Sequence, residues 1–91
     1  MKRLRKNLAF ETVWTDDAIE DLSRLEHFVS KRIIKKVDEL TTTLFSQDIK
    51  RLTGMPYYRL RVGDYRIIFA IEDNKIIILH AEHRKKVYKN F

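Results

Sequence analysis

With 91 residues the chain has room for one small core, because chains usually divide into domains only beyond about 250 residues, so residues 1–91 are expected to form a single domain. Hydrophobic residues at 44 % and charged residues at 35 %, with only two Gly and one Pro, exclude a disordered or low-complexity sequence, which lacks the apolar surface to offset its ordering entropy. Nineteen Lys and Arg against thirteen Asp and Glu leave +6 and point to an anionic partner, while the absence of Cys excludes disulfides, thiolate metal sites and a cysteine nucleophile.

The basic cluster Lys2, Arg3, Arg5 and Lys6 is followed by mixed, acidic sequence rather than an apolar leader core, so cytoplasmic retention is expected. Phe10, Thr12 and Trp14 alternate with Glu11 and Val13, the period of a short strand. Thr15 can cap a helix whose first turn carries Asp16 and Asp17 at the positive end of the dipole. Ala18, Ile19, Leu22 and Leu25 recur at helical spacing. After a break near Glu26 and His27, Val29, Ile33, Val37, Leu40 and Leu44 do the same, which predicts a helical hairpin. Lys31, Arg32, Lys35, Lys36, Asp38 and Glu39 lie off that stripe as a solvated face. Ser46 to Pro56 has no sustained period and reads as a loop exposing Lys50 and Arg51.

Beyond it, Tyr57 to Val62, Tyr65 to Glu72 and Lys75 to His83 read as a β-meander joined by Gly63-Asp64 and Asp73-Asn74, the first suited to a type II′ and the second to a type I′ turn. The longest apolar runs here are far short of the ~20 residues of a membrane-spanning helix, so no membrane partner is expected. Unbulged turns would pair Val62 with Tyr65, Arg61 with Arg66 and Arg59 with Ile68, then Ile71 with Ile76, Phe69 with Ile78 and Ile67 with His80. One face would collect Tyr58, Leu60, Val62, Tyr65, Ile67, Phe69, Ile71, Ile76 and Ile78 as the core, with His80 pointing into it as a structural histidine.

The opposite face would carry Arg59, Arg61, Arg66 and His83 beside Tyr57, Ile68, Ala70, Ile77 and Leu79. Arg61 facing Arg66 is destabilising by an amount comparable with an ordinary cross-strand pair, ~0.2–1 kcal/mol, and no acid on that face offsets it in this register. Unpaired guanidinium forks suit a phosphate; the alternative is that they snorkel over a wet face or meet carboxylates from an unplaced loop. The chain then reads His83-Arg84-Lys85-Lys86-Val87-Tyr88, basic with one phenol, as single-stranded RNA binding requires, or as a plain solvated tail. Three scattered His without H-x-x-x-H or E-x-x-H spacing, no glycine-rich phosphate loop and no Ser/His/Asp set leave metal catalysis unsupported; no cofactor or small-molecule substrate is expected.

The order strand, helical hairpin and basic loop with Leu52-x-Gly54, then Tyr58-Arg59-Leu60-Arg61-Val62-Gly63-Asp64-Tyr65-Arg66-Ile67-Ile68-Phe69 and a closing His83-Arg84-x-x-Val87-Tyr88, resembles the RelE/ParE superfamily of type II toxins. The resemblance covers nearly the whole chain. It implies an α+β fold in which the N-terminal strand joins a mostly antiparallel meander sheet, the helical hairpin packs on that sheet, and a short basic C-terminal segment follows. It also implies a ribosome-dependent, metal-free mRNA interferase that is neutralised by a cognate antitoxin protein and acts on mRNA in the ribosomal A site through attack of the 2′-hydroxyl.

By motif position, Arg59 and Arg61 match a basic pair acting on the nucleophile or the transition-state charge. Arg66 matches a phosphate-binding arginine, Arg84 a basic residue near the leaving group, and Tyr88 a tyrosine that orients or stacks on RNA. Some relatives have Lys at positions 59 and 61; arginine stays protonated at neutral pH and cannot be the base, so the pair here stabilises charge. His83, on the face expected above, is the candidate for proton transfer because histidine titrates near neutrality. Lys50, Arg51, Lys85 and Lys86 are the added RNA-binding candidates. Two other functions stay open: a ParE-like toxin that inhibits DNA gyrase without cleavage, and a non-catalytic antitoxin-binding module.

Overall fold

The computed structural model describes residues 10–42 and 48–90. The chain runs β1 (Glu11–Trp14), α1 (Asp16–Ser23), α2 (His27–Leu40), β2 (Ile49–Arg51), β3 (Tyr58–Val62), β4 (Tyr65–Glu72), β5 (Lys75–His83) and a closing 3₁₀ turn (Val87–Asn90). The strands form one sheet in the order β1-β5-β4-β3-β2. β1 runs parallel to β5 and the other pairs are antiparallel, so this is the expected α+β fold with a mixed sheet.

Thr15 ends β1 and starts α1 with one side chain. Its hydroxyl accepts the Ala18 amide at 3.2 Å and donates to the Ile78 carbonyl at 2.8 Å, so the cap is also a tie to β5. The helices bury Ala18, Ile33, Val37 and Leu40 against Leu60, Val62, Ile67, Phe69, Ile76, Ile78 and Ala81 of the sheet. The expected apolar stripe is therefore the packing face; Leu44 lies outside the described residues. The stretch read as a loop from Ser46 to Pro56 contains β2, because Ile49 has a place beside the core opposite Leu60 and the edge of β3 is open to pair with it.

The register of β3 on β4 is the expected one, with Arg61 opposite Arg66. Gly63 has φ 58°, as a type II′ turn needs at its first central position. At the second turn only Asp73 has positive φ, 56°, so the type I′ turn that requires it at both residues is not formed.

The register of β4 on β5 holds from Glu72↔Lys75 to Phe69↔Ile78 and then shifts by one, because Leu79 is an extra residue on β5. Beyond this bulge every side chain changes face. Ile67 faces Ala81 rather than His80, Arg66 faces Glu82, and Tyr65 faces His83. His80 therefore leaves the helix-side core. It lies opposite Ile68 with its Nδ1 3.0 Å from Asp21 Oδ2, at the stretch of β5 that β1 has stopped covering. Asp21, 7 % exposed, also accepts the Ala81 amide at 3.0 Å, so a carboxylate from α1 closes the edge where a strand neighbour is missing.

Candidate nucleic-acid interface

The face away from the helices is built by alternation in β3 and β4. Arg59 and Arg61 point there because Leu60 and Val62 point inward, and Arg66 and Ile68 because Ile67 and Phe69 do. Ile68 is fully buried without belonging to the helix-side core, as is Val87 of the closing 3₁₀ turn. The chain after β5 is held back toward the sheet by the Arg84 amide, which donates to the Asp64 carbonyl at 2.8 Å.

Arg66 anchors this face. It is 9 % exposed, and its Nη1 donates to the carbonyls of Gly63 at 2.9 Å and Tyr65 at 3.0 Å, so the guanidinium is fixed by the turn it follows. Burial, then the like charges of Arg59 and Arg61, push its pKa below the ordinary arginine value; Arg84 acts in the same direction and the Tyr88 phenol in the opposite one. Arg59, Arg61, Arg84 and Tyr88 therefore all lie within electrostatic reach of one buried cation. Tyr88 is 46 % exposed, leaving ring surface open for stacking.

Two carboxylates belong to this face that the sequence reading left off it. Asp48, just before β2, places Oδ1 3.4 Å from Arg59 Nη2 and Oδ2 3.8 Å from Arg61 Nη1. Glu82 stands opposite Arg66 because of the bulge. The arginines thus meet a carboxylate from an unplaced segment in part, yet the Arg59 Nε is buried with no hydrogen-bond partner. A buried donor on a cation, left unpaired, is a place for an oxygen ligand. The signal for Asp48 was the short alternation Asp48-Ile49-Lys50-Arg51, too brief to separate from a loop. For Glu82 no signal existed, since a one-residue bulge leaves no mark in composition.

His83 does not share the arginine face. It pairs with Tyr65, meets that ring edge-on at 5.5 Å between centroids, and lines a hollow with Arg24 of α1 and Lys86. The face shift at Leu79 is the reason. Lys50, opposite Arg59, joins the arginine face. Arg51 does not: it pairs with Tyr58, on the helix side, with its guanidinium carbon 5.9 Å from that ring centroid. Lys85 and Lys86 are exposed in the turn before Val87, and that segment is a turn followed by a 3₁₀ turn rather than an α-helix. Among the described residues, Asp21, His80 and Glu82 bring ligand-type atoms within 4.8 Å of one another, but the Asp21 oxygen already accepts the Ala81 amide and meets His80.

The fold and this cluster have counterparts. Residues 12–88 match the family described as the ParE toxin of the type II toxin–antitoxin system parDE. The chain belongs to that family. It is 33 % identical over 78 residues to Toxin RelE3 of Methanocaldococcus jannaschii, covering 80 % of this chain and 89 % of the relative. Among solved structures, it is similar to the toxin in the RelB–RelE antitoxin–toxin complex from Methanococcus jannaschii, with a TM-score of 0.72 and 31 % identity over 87 % of this chain and 98 % of that one. An archaeal RelE–RelB complex from Pyrococcus horikoshii OT3 matches in fold with a TM-score of 0.73 at 24 % identity, over 87 % of this chain and 99 % of that one. The protein is a RelE-type toxin of a toxin–antitoxin system.

Proposed function

We propose that this toxin is an endoribonuclease, a ribosome-dependent mRNA interferase of the cytoplasm that cuts mRNA in the ribosomal A site. The observation that carries this reading is the convergence on one open sheet face of Arg59, Arg61, Arg84 and Tyr88 around the buried Arg66. In the reaction the 2′-oxygen bonds to phosphorus as the bond to the 5′-oxygen breaks, giving a cyclic phosphate and a 5′-hydroxyl. The 2′ proton passes to solvent and the departing oxygen takes one up. Negative charge grows on the phosphoryl oxygens, and fixed guanidiniums aimed at that charge need no reorganisation to stabilise it. Arg66 grips the phosphate, Arg59 and Arg61 hold the developing charge, Arg84 serves the leaving side, and Tyr88 stacks on or orients a base. Lys50 and Lys85 extend the positive track. His83 is not carried forward as a proton-transfer group, since it faces the helices.

The relatives solved as RelB–RelE complexes support a cognate antitoxin as partner. An amphipathic, acidic antitoxin segment would meet the basic second half of the chain and cover exposed apolar groups such as Ile19, Phe28 and Ile34.

The test is purified toxin added to ribosomes programmed with a defined mRNA, with 5′ ends mapped by primer extension, beside a ribosome-free lane and Arg61→Ala. Arg61 is the better probe because its side chain is 56 % exposed and Arg66 also holds the β3–β4 turn. Cleavage in the A-site codon, dependent on ribosomes and lost in the variant, is expected. Uncut mRNA with toxin in excess over ribosomes would end the interferase reading. The ParE description of the matched family makes gyrase inhibition the second reading, and inhibited DNA supercoiling without RNA cleavage would select it.

A further inference from the structure

The closing segment delivers Arg84 and Tyr88 to the arginine face, although no strand pairing or α-helix holds it there. Its order comes from three consecutive amides. Arg84 donates to the Asp64 carbonyl at 2.8 Å, Lys85 to His83 Nδ1 at 3.2 Å, and Lys86 to the His83 carbonyl at 2.8 Å. Two of the three acceptors belong to His83. A side-chain acceptor for the amide two residues on is the arrangement by which Asn and Asp shape Asx turns, here made by an imidazole. The ring is oriented by its edge-on contact with Tyr65, at an interplanar angle of 77°.

We propose that His83 is a positioning residue: from the helix side of the sheet its neutral imidazole accepts the Lys85 amide and sets the turn that carries Arg84 and Tyr88 around the strand end to the opposite face. This rests on the interferase reading for its catalytic consequence, and on the structure alone for the geometry. The reason is one of connectivity. Arg84 follows His83 directly, and Tyr88 follows one residue after the buried anchor Val87, so the turn between the two faces has three residues in which to reverse the chain. Accepting at Nδ1 requires the proton on Nε2; a protonated imidazole donates at both nitrogens and accepts at neither. The contact is therefore lost on acidification. The charged and titratable groups around the ring are Tyr65 on β4, Asp21 and Arg24 on α1, Glu82 on its own strand and Lys86 in the turn.

The experiment compares the full-length wild type with His83→Ala and His83→Asn, because an Asn carbonyl oxygen can accept the same i+2 amide. Amide exchange at Lys85 and the NMR positions of Arg84 and Tyr88 report the geometry, and programmed-ribosome cleavage across pH reports its consequence. Expected for His83→Ala is exchange at Lys85 about 3- to 10-fold faster, shifted Tyr88 resonances and cleavage slowed about 3- to 10-fold, the factor one modest hydrogen bond gives. His83→Asn is expected to recover most of both, and to lose the acid-side fall in rate that the wild type shows through the ordinary histidine range. Unchanged Lys85 exchange and Tyr88 resonances in His83→Ala overturn the proposal, as does a folded His83→Asn no better than His83→Ala. If the wild type cuts no mRNA, the interferase reading fails separately, and the exchange and resonance data still decide the role of His83.

Discussion

The two faces of the sheet are made from the same strands but differ in what closes them. On one, two helices cover Leu60, Val62, Ile67, Phe69, Ile76 and Ile78, all at most 3 % exposed. On the other, a short closing segment contributes Val87 near a single buried isoleucine, Ile68, and leaves guanidiniums at the rim. A sheet face covered by helices gains stability from apolar burial; one covered only in part keeps side chains within reach of solvent and ligands. The cation that is buried on the second face, Arg66, is held by backbone carbonyls and surrounded by like charge, a cost a stability-driven surface would avoid.

The sharpest test of the contrast is Phe69→Ala, expected to cost about 3–5 kcal/mol and to unfold much of a chain this small, as read by the urea midpoint. If the second face were only wet surface, Ile68→Ala would be nearly neutral. It is instead expected to cost about 2–4 kcal/mol, and Val87→Ala about 1–2 kcal/mol, by the same urea titration. Arg61→Ala should do the reverse, changing stability by less than about 0.5 kcal/mol while ribosome-dependent cleavage falls at least about tenfold; an unfolded variant would erase the division between the faces. The smallest expected effect is at Asp48. Asp48→Asn removes the carboxylate that meets Arg59 and Arg61, and should tighten binding of a short single-stranded RNA about two- to fivefold at low salt, with the gain shrinking as salt rises. Weaker binding would show that Asp48 assists the RNA rather than competing with it.

Much of this was legible residue by residue. The helical stripes, the Thr15 cap, the meander and the Arg61–Arg66 pair follow from local periodicity and turn chemistry, which depend on neighbours a few residues away. The grouping of Arg59, Arg61 and Arg66 on one face followed from the same arithmetic, because the β3–β4 ladder has no irregularity. His80, Glu82 and His83 were misplaced together by one extra residue, Leu79. The side-chain period of a strand is two, so a single insertion inverts everything after it.

By itself, then, the sequence determined the elements, the helix-packed core and the arginines of the open face, since each is fixed by spacing along the chain. Tertiary structure alone decided the bulge, the three-residue strand β2 and the arrival of Asp48, Glu82 and Tyr88 around Arg66. Those features carry too little local free energy to announce themselves: a three-residue strand forms only against an existing edge, and a bulge persists only where the neighbouring strand and the Asp21 carboxylate satisfy the backbone around it.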